Sequence, residues 1–465
     1  MTIISGSSRG RHPGLALLGL SAWLRRQGWL RGIYRHFPVS FRHKASQLLA
    51  SRAAKNAKFL RTPRWAAEVQ HAAPLSPSPD ASTRFGAEAG VNAFGYMRGQ
   101  FGLAESARLY TRALLDEGYP VAVHDIALDM AHSMGDSSLE AHFDTVAPHG
   151  INLLFVNPDY LDAAMSSIGR ERLGGRYTIA CWFWELEKFP DAWSHALEHV
   201  DEIMVSSRFV AEVVRKVTDK PVLHVPLPLL EIPDSGLQRV DFGLHEDAFI
   251  FLSSFDFNSF LARKNPLATI AAFRRAFPAG DEKVQLLVKT SNGHRHPQRL
   301  QELLRVAGAD NRILVRDDVI DRSHVQALQR CVDAFVSLHR AEGFGLGLAE
   351  CMRLGKPVIA TAWSGNMEFM TADNSCLVDY ELVPVKEGEY LHPAGQRWAE
   401  PDIEHAAAYM RRLVEYPGLA ADIGRRAAAD IRQRLAPQAV AWQIIRRLDS
   451  LRSTDSQGRA ADPMT

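Results

Sequence analysis

From Gly90 onward, short apolar runs alternate with stretches whose apolar residues recur every three to four positions. "GVNAFGY" is an apolar run ending in glycine. In "LAESARLYTRALLDEGY" Leu103, Ala107, Tyr110, Leu114 and Leu115 keep helical spacing up to Gly118. "PVAVHDI" follows, so strand, glycine-containing loop, helix and strand form one βαβ unit. "INLLFVN", "YTIACWFWE", "DEIMVSS" and "KPVLHVPLP" continue as strands, and proline-rich 226–234 ("PLPLLEIPD") reads as a hinge. A second series opens at "AFIFLSSFDF". It runs through helix "NPLATIAAFRRAF", strand "VQLLVKTSN", helix "PQRLQELLRVAG", strand "RILVRD", helix "SHVQALQRCV", strand "DAFVSLH" and strand "PVIATAW". The tail, from "EHAAAYM" to "RRLDSLR", is helical, introduced by "RWAEPD" at 397–402. The pattern predicts two consecutive doubly wound, Rossmann-like α/β domains.

Length agrees, since 465 residues exceed one ordinary core. The expected units are a basic extension and linker over 1–83, a first domain over 84–232 and a second over 233–435. A C-terminal helix over 436–453 and a disordered tail over 454–465 follow. Residues 69–83, rich in Pro, Ser and Ala, form the linker. Hydrophobic residues at 46% and charged residues at 23% suit a globular chain. Four scattered cysteines without a CxxC pair point away from a zinc cluster or disulfide scaffold and toward a reducing cytoplasm.

The net charge of +1 hides an asymmetry. Met1 to Arg64 holds 13 Lys and Arg and no acid, and the remainder sets 41 basic residues against all 53 acidic ones. A basic leader on an acidic body invites an anionic partner. Its apolar run from Leu15 to Leu24 falls short of the ~20 residues that span a bilayer, and "RRQGW" is a poor cleavage site. Trp23, Leu24, Trp29, Leu30 and Tyr34 interleave with Arg25, Arg26, Arg31 and Arg35. Two readings stand: an interfacial helix on anionic lipid, or a basic extension that is partly disordered or packed on the protein. No nucleic acid is expected.

The densest chemistry is "HRAEGFGLGLAE", His339 to Glu350. Glu342 falls in the loop after a strand that ends at His339, and Glu350 lies near the start of a helix read over 348–354. Glycines 343, 345 and 347 between them admit close approach of a ligand to backbone N–H groups. Carboxylates suit hydroxyls and a helix start suits anions. A nucleotide sugar carries both, and two solvated acids flanking a glycine loop are the plainer reading.

Here the chain resembles the retaining GT-B glycosyltransferases, glycosyltransferase family 4 in particular. "EGFGLGLAE" matches their E-x7-E element, and the match extends through "CMRLGKPVIATAWSGNMEFM" and "NSCLVDYE". It covers the second domain well and the first more loosely. The resemblance implies a GT-B fold whose last helix, "QAVAWQIIRRL", crosses back to the first domain. It implies that Glu342 contacts donor-sugar hydroxyls and Glu350 the ribose. Backbone N–H groups around Gly343, Phe344, Gly345 and Leu346 would face the sugar or diphosphate. Glu368 matches the acid of the family's Gly-Gly-x-x-Glu segment, although Ser364 replaces the first glycine. Where the family carries an Arg before its phosphate-binding Lys, this chain has Asp256 and Phe257; Lys264 matches the Lys, with Arg263 or Lys289 as a second cation. Ordinary surface charge is the plainer reading of all three.

The resemblance also places a glycine-rich loop at "GYMRGQFGLAESAR", with Gly102 as the close-approach glycine and Arg98 and Glu105 as contacts; a helix-start acid is the plainer role for Glu105. Where the family often has His and Glu, "CWFWELEKFPDAW" offers Glu185 to orient an acceptor hydroxyl. Its tryptophans are candidates either for stacking on sugars or for filling the core. His124 and His339 are further candidates, or structural histidines. Glu342, Glu185 and Lys264 form the expected catalytic set. The expected reaction moves a sugar from a nucleotide-sugar donor to a glycan or lipid-linked glycan with retention, in the cytoplasm or at the inner face of the cell membrane, with no metal or other cofactor. A GT-B nucleotide-sugar epimerase and a non-catalytic sugar-nucleotide binding module are the alternatives. A dinucleotide dehydrogenase is disfavoured because "GYMRGQFGLAES" lacks GxGxxG spacing.

Overall fold

The computed structural model describes residues 89–128 and 132–460, with Trp23, Gln27, 57–59, Arg61 and 64–65 before them. The leader and linker expected over 1–83, with their membrane contact, therefore lie almost wholly outside the described residues. The first sheet contains β1 (Val91–Gly95), β2 (Val121–Asp125), β3 (Ile151–Phe155), β4 (Tyr177–Trp182), β5 (Glu202–Val205) and β6 (Val222–His224). Its order is β2-β1-β3-β4-β5-β6, with every pairing parallel. The second contains β7 (Phe249–Asp256), β8 (Val284–Ser291), β9 (Ile313–Asp317), β10 (Ala334–Ser337), β11 (Val358–Thr361) and β12 (Cys376–Val378). These run β12-β11-β10-β7-β8-β9, again parallel throughout. Parallel strands need crossovers that cover both faces, so their residues are apolar on both. β1 and β3 accordingly bury all five of their residues.

The crossovers of the first domain include α1 (Gly102–Asp116), α2 (Leu161–Ile168) and α3 (Arg208–Arg215). Those of the second are α4 (Leu261–Lys264), α5 (Pro266–Ala276), α6 (Pro297–Ala307), α7 (Arg322–Cys331) and α8 (Leu346–Arg353). The tail forms α9 (Ile403–Glu415), α10 (Pro417–Arg434) and α11 (Pro437–Ala460). Proline opens α5, α6, α10 and α11, where its missing N–H costs nothing. α1 stops at Gly118, whose φ of +70° suits glycine.

Helix α11 returns to the first domain. Arg447 makes a forked pair with Glu202 on β5 at 2.7–3.1 Å, and Gln443 donates to the His224 carbonyl. The helix continues to Ala460, beyond the 436–453 expected, so a disordered tail from 454 does not describe 454–460; residues 461–465 lie outside the described residues.

A second difference lies before the tail. "RWAEPD" introduces the tail, with Asp402 as the N-cap of α9, but most of it is a strand that was not read from the sequence. Arg397–Pro401 is β14, paired antiparallel with β13 (Tyr380–Pro384). Partner choice made this hairpin: β13 is too weakly patterned to announce a strand, and its pairing with β14 exists only after folding.

Candidate active site

In open parallel α/β sheets, ligand sites form beyond the C-terminal strand ends. β10 ends at Ser337, and the loop behind it delivers Glu342, which is 6% exposed. Two cations from α4, which follows β7, meet this carboxylate. Lys264 Nζ donates to Oε1, and Arg263 Nη1 donates to Oε2 at 3.1 Å and to the Ala341 carbonyl at 2.9 Å. Burial works against the Glu342 charge. Lys264 and Arg263 outweigh it, and the carboxyl falls to about 2. Glu342 is therefore an ionised acceptor throughout the neutral range. Burial pulls Lys264 below the usual lysine range despite its partner.

The first domain contributes from across the cleft. β4 ends at Trp182, and three residues on Glu185 Oε1 lies 3.7 Å from Arg263. Its other oxygen accepts from the Tyr390 hydroxyl at 2.6 Å. Glu342, Lys264, Arg263 and Glu185 are thus brought together from two domains. The tryptophans beside Glu185 are not sugar platforms: Trp182 and Trp184 are 1% and 2% exposed, and Trp184 meets Trp193 edge-on. They fill core beneath the cleft.

Close approach between loops explains the glycines and one departure from the family pattern. A Cβ on Gly365 would stand 2.1 Å from the Gly343 carbonyl oxygen, so only glycine fits. Gly345, at φ +94°, turns the chain into α8. That turn starts the helix at Leu346, two residues before the expected 348. Phe344 packs on Phe369, and the Gly343 carbonyl accepts from Ser207 of the first domain at 2.7 Å. Ser364 has φ +77°, which accounts for glycine at the matching family position. Its hydroxyl accepts the Glu342 N–H at 2.8 Å, a bond glycine cannot make.

Other expected residues lie apart from this cluster. Glu350, 2% exposed on α8, accepts from Gln329 at 3.0 Å and pairs with Arg322 at the start of α7. Arg322 also reaches Glu105 on α1 at 3.2 Å, so Glu105 binds arginine across the domain boundary. Beside them a cavity of about 190 Å³ is lined by Glu105, Arg108, Arg322 and Glu350. Glu368 accepts the Arg208 N–H at the start of α3 at 2.9 Å and pairs with His224 at 3.2 Å. It ties the domains together. Lys289 is buried on β8; burial lowers it while Asp256 and Asp317 act to hold its charge. Asp256 caps the following turn at the Asn258 N–H. Around Gly102 a Cβ would meet nothing within 4 Å, so no close approach within the protein requires glycine there.

Arg98 pairs with Asp125 and Glu140 on its own domain. His124 sits in the first-domain core, stacked on Phe94, where burial and then Arg172 push it down to about 4. His339 is fully buried between Ser337 and Asn366, and burial lowers it; it braces the loop. Tyr390, Arg322 and Ser207 went unnoticed in the sequence. Each gains its place through a partner more than a hundred positions away, which leaves no local signal.

Two facing parallel α/β domains with the return helix are the GT-B architecture. Residues 249–386, within the second domain, match the family model described as Glycosyl transferases group 1. Among solved structures, sucrose-phosphate synthase from Thermosynechococcus elongatus is similar over 79% of this chain and 100% of its own, at 15% identity and a TM-score of 0.57. Anabaena HepE, in a complex with UDP and glucose, is similar over 78% and 100%, at 14% and 0.56. A glycosyltransferase from Rickettsia africae follows at 78% and 97%, 13% and 0.56. No curated protein sequence matches the chain.

Proposed function

We propose that this glycosyltransferase moves a sugar from a nucleotide-sugar donor to a glycan or lipid-linked glycan, with retention at the anomeric carbon, in polysaccharide or glycoconjugate biosynthesis. The observation that carries this reading is the buried Glu342 carboxylate held between Arg263 and Lys264 at the domain boundary. An ionised carboxylate is an acceptor only, and sugar hydroxyls are donors. The two cations beside it suit the charge that gathers on a departing diphosphate.

In this reaction the bond between the sugar C1 and the β-phosphate oxygen breaks. The acceptor oxygen bonds to C1 on the same face, and its proton passes to the leaving phosphate. Glu342 binds the sugar, Lys264 and Arg263 steady the diphosphate, and Glu185 orients the attacking hydroxyl. Lys289 adds charge along the donor path, Glu350 takes the ribose once Arg322 yields, and the loop around Gly343, Phe344, Gly345 and Leu346 offers backbone N–H groups. With those cations present the reading needs no resident metal. It places the enzyme in the cytoplasm, with the basic leader holding it to an anionic inner membrane face; no helix among the described residues is long and apolar enough to cross a membrane.

The test is calorimetric binding of nucleotide sugars, beginning with UDP-glucose, and of free nucleotides. Glu350→Ala is expected to weaken nucleotide and nucleotide sugar alike, and Glu342→Ala mainly the sugar-bearing ligand. A folded protein that binds none of them would end the donor assignment.

A further inference from the structure

The β13–β14 hairpin belongs in sequence to the second domain, yet its connecting loop grips the first-domain loop that carries Glu185. Gln396 and Lys188 exchange two hydrogen bonds: the Lys188 N–H donates to Gln396 Oε1 at 3.1 Å, and Gln396 Nε2 donates to the Lys188 carbonyl at 2.8 Å. Arg397 pairs with Glu187 at 3.1 Å. At the other side the hairpin is stitched to the catalytic loop, because Arg340 pairs with Glu400 at 2.6 Å and its carbonyl accepts the Ala399 N–H. Tyr390 lies between these two attachments. Its ring is 8% exposed and packs edge-on against Phe260, and the Arg263 guanidinium stands 5.7 Å from the ring centre.

A carboxylate on a loop has two oxygens and free rotation between them. Tyr390 takes one oxygen and leaves the other toward Arg263. Nothing in the fold of the second domain requires this contact, since the hydroxyl reaches outside its own domain for its partner. We propose that the hairpin is a positioning element for the acceptor side of the site, and that Tyr390 is the positioning residue that aims Glu185 at Arg263 and the reacting end of the cleft. The inference rests on the transferase reading for its chemistry, but the contact itself is testable without a donor. It assigns specificity for the attacking hydroxyl to a segment outside the E-x7-E element.

The test compares wild type, Tyr390→Phe and Glu185→Gln as full-length proteins. Phenylalanine keeps the ring packing and removes only the hydroxyl. The groups facing Glu185 are Tyr390 from the hairpin, Arg263 and Lys264 from α4, Asp159 from the turn after β3, and Glu342 beyond Arg263. Carboxyl-carbon NMR at neutral pH on protein labelled at Glu, with the signal assigned by its loss in Glu185→Gln, is expected to show the Glu185 resonance displaced in Tyr390→Phe, because the hydroxyl that donates to its Oε2 is gone. UDP release from UDP-glucose is expected to fall about tenfold in that variant, with UDP binding unchanged.

An unmoved Glu185 resonance overturns the positioning role whatever the donor. A displaced resonance with unchanged UDP release overturns its bearing on the reaction. A displaced resonance in a protein that binds no nucleotide sugar leaves Tyr390 as the residue that holds Glu185 and removes the transferase reading instead.

Discussion

Glu342 is a carboxylate whose charge the fold protects. Its folded value of about 2 lies below its ordinary value of 4.5. A depressed carboxyl adds stability that is complete above the unfolded value and is lost as pH falls through the folded one. Glu342→Gln is therefore expected to cost on the order of 3 kcal/mol at pH 7, since it removes the carboxylate that Lys264 and the buried Arg263 share and leaves Arg263 only the more distant Glu185. The deficit relative to wild type should shrink between pH ~4.5 and ~2, followed by urea unfolding across that window. Ser364 permits a finer comparison. Ser364→Ala keeps the unfavourable backbone angle and loses the bond to the Glu342 N–H, so it should cost ~1–2 kcal/mol. Ser364→Gly loses the same bond but relieves the backbone, and should cost less. Thermal unfolding of the pair separates the two effects.

At the scale of elements, the site depends on how closely two loops of the second domain approach. Gly365 lies against the carbonyls of Glu342 and Gly343. Gly365→Ala must push away the loop that carries Glu342, and a loss of at least ~3 kcal/mol is expected in chemical unfolding, with affinity for the proposed donor falling further than Ser364→Ala lowers it. The strands and the crossover helices around this point were legible from period and punctuation. β7, β8, β10 and β11 fall within the runs read as strands, and α5 and α6 within the helical ones. Glu342 and Lys264 were legible as well, through the resemblance carried by their local motifs. The β13–β14 hairpin was not, because "RWAEPD" has no pattern that separates a strand from a helix start. Glu368 was legible as an acid of the right spacing, but its spacing said nothing of its partner. That partner is His224, on the first domain.

At the scale of the molecule, long-range polar ties between the domains add to apolar packing such as Phe209 against Trp363. Arg322 joins Glu105 to Glu350, Ser207 holds the Gly343 carbonyl, and Arg447 on the return helix pairs with Glu202, which is 1% exposed. Removing one partner of a buried pair leaves an uncompensated charge. Arg447→Ala is expected to destabilise by ~3 kcal/mol, read as a lower unfolding temperature, although the residue is on the far side of the first sheet's strand ends from the chemistry. Arg322→Ala should act differently. It frees Glu350 for the proposed ribose contact, so the nucleotide of the proposed donor should bind more tightly while the domains separate more readily, which scattering in solution would detect as a larger radius of gyration.

Periodicity and local motifs in the sequence determined the two α/β domains, the order of their main elements, and the acids and cations proposed to carry the chemistry. Those features are local: a strand or helix declares itself over a few residues, and a glycine loop between two acids is complete within twelve. Tertiary structure alone decided the pairing of Glu342 with Arg263 and Lys264, the bond from Tyr390 to Glu185, and the roles of Arg322 and Glu368 between domains. Each of these joins side chains that are tens to hundreds of positions apart, and their meeting depends on where two sheets come to face each other.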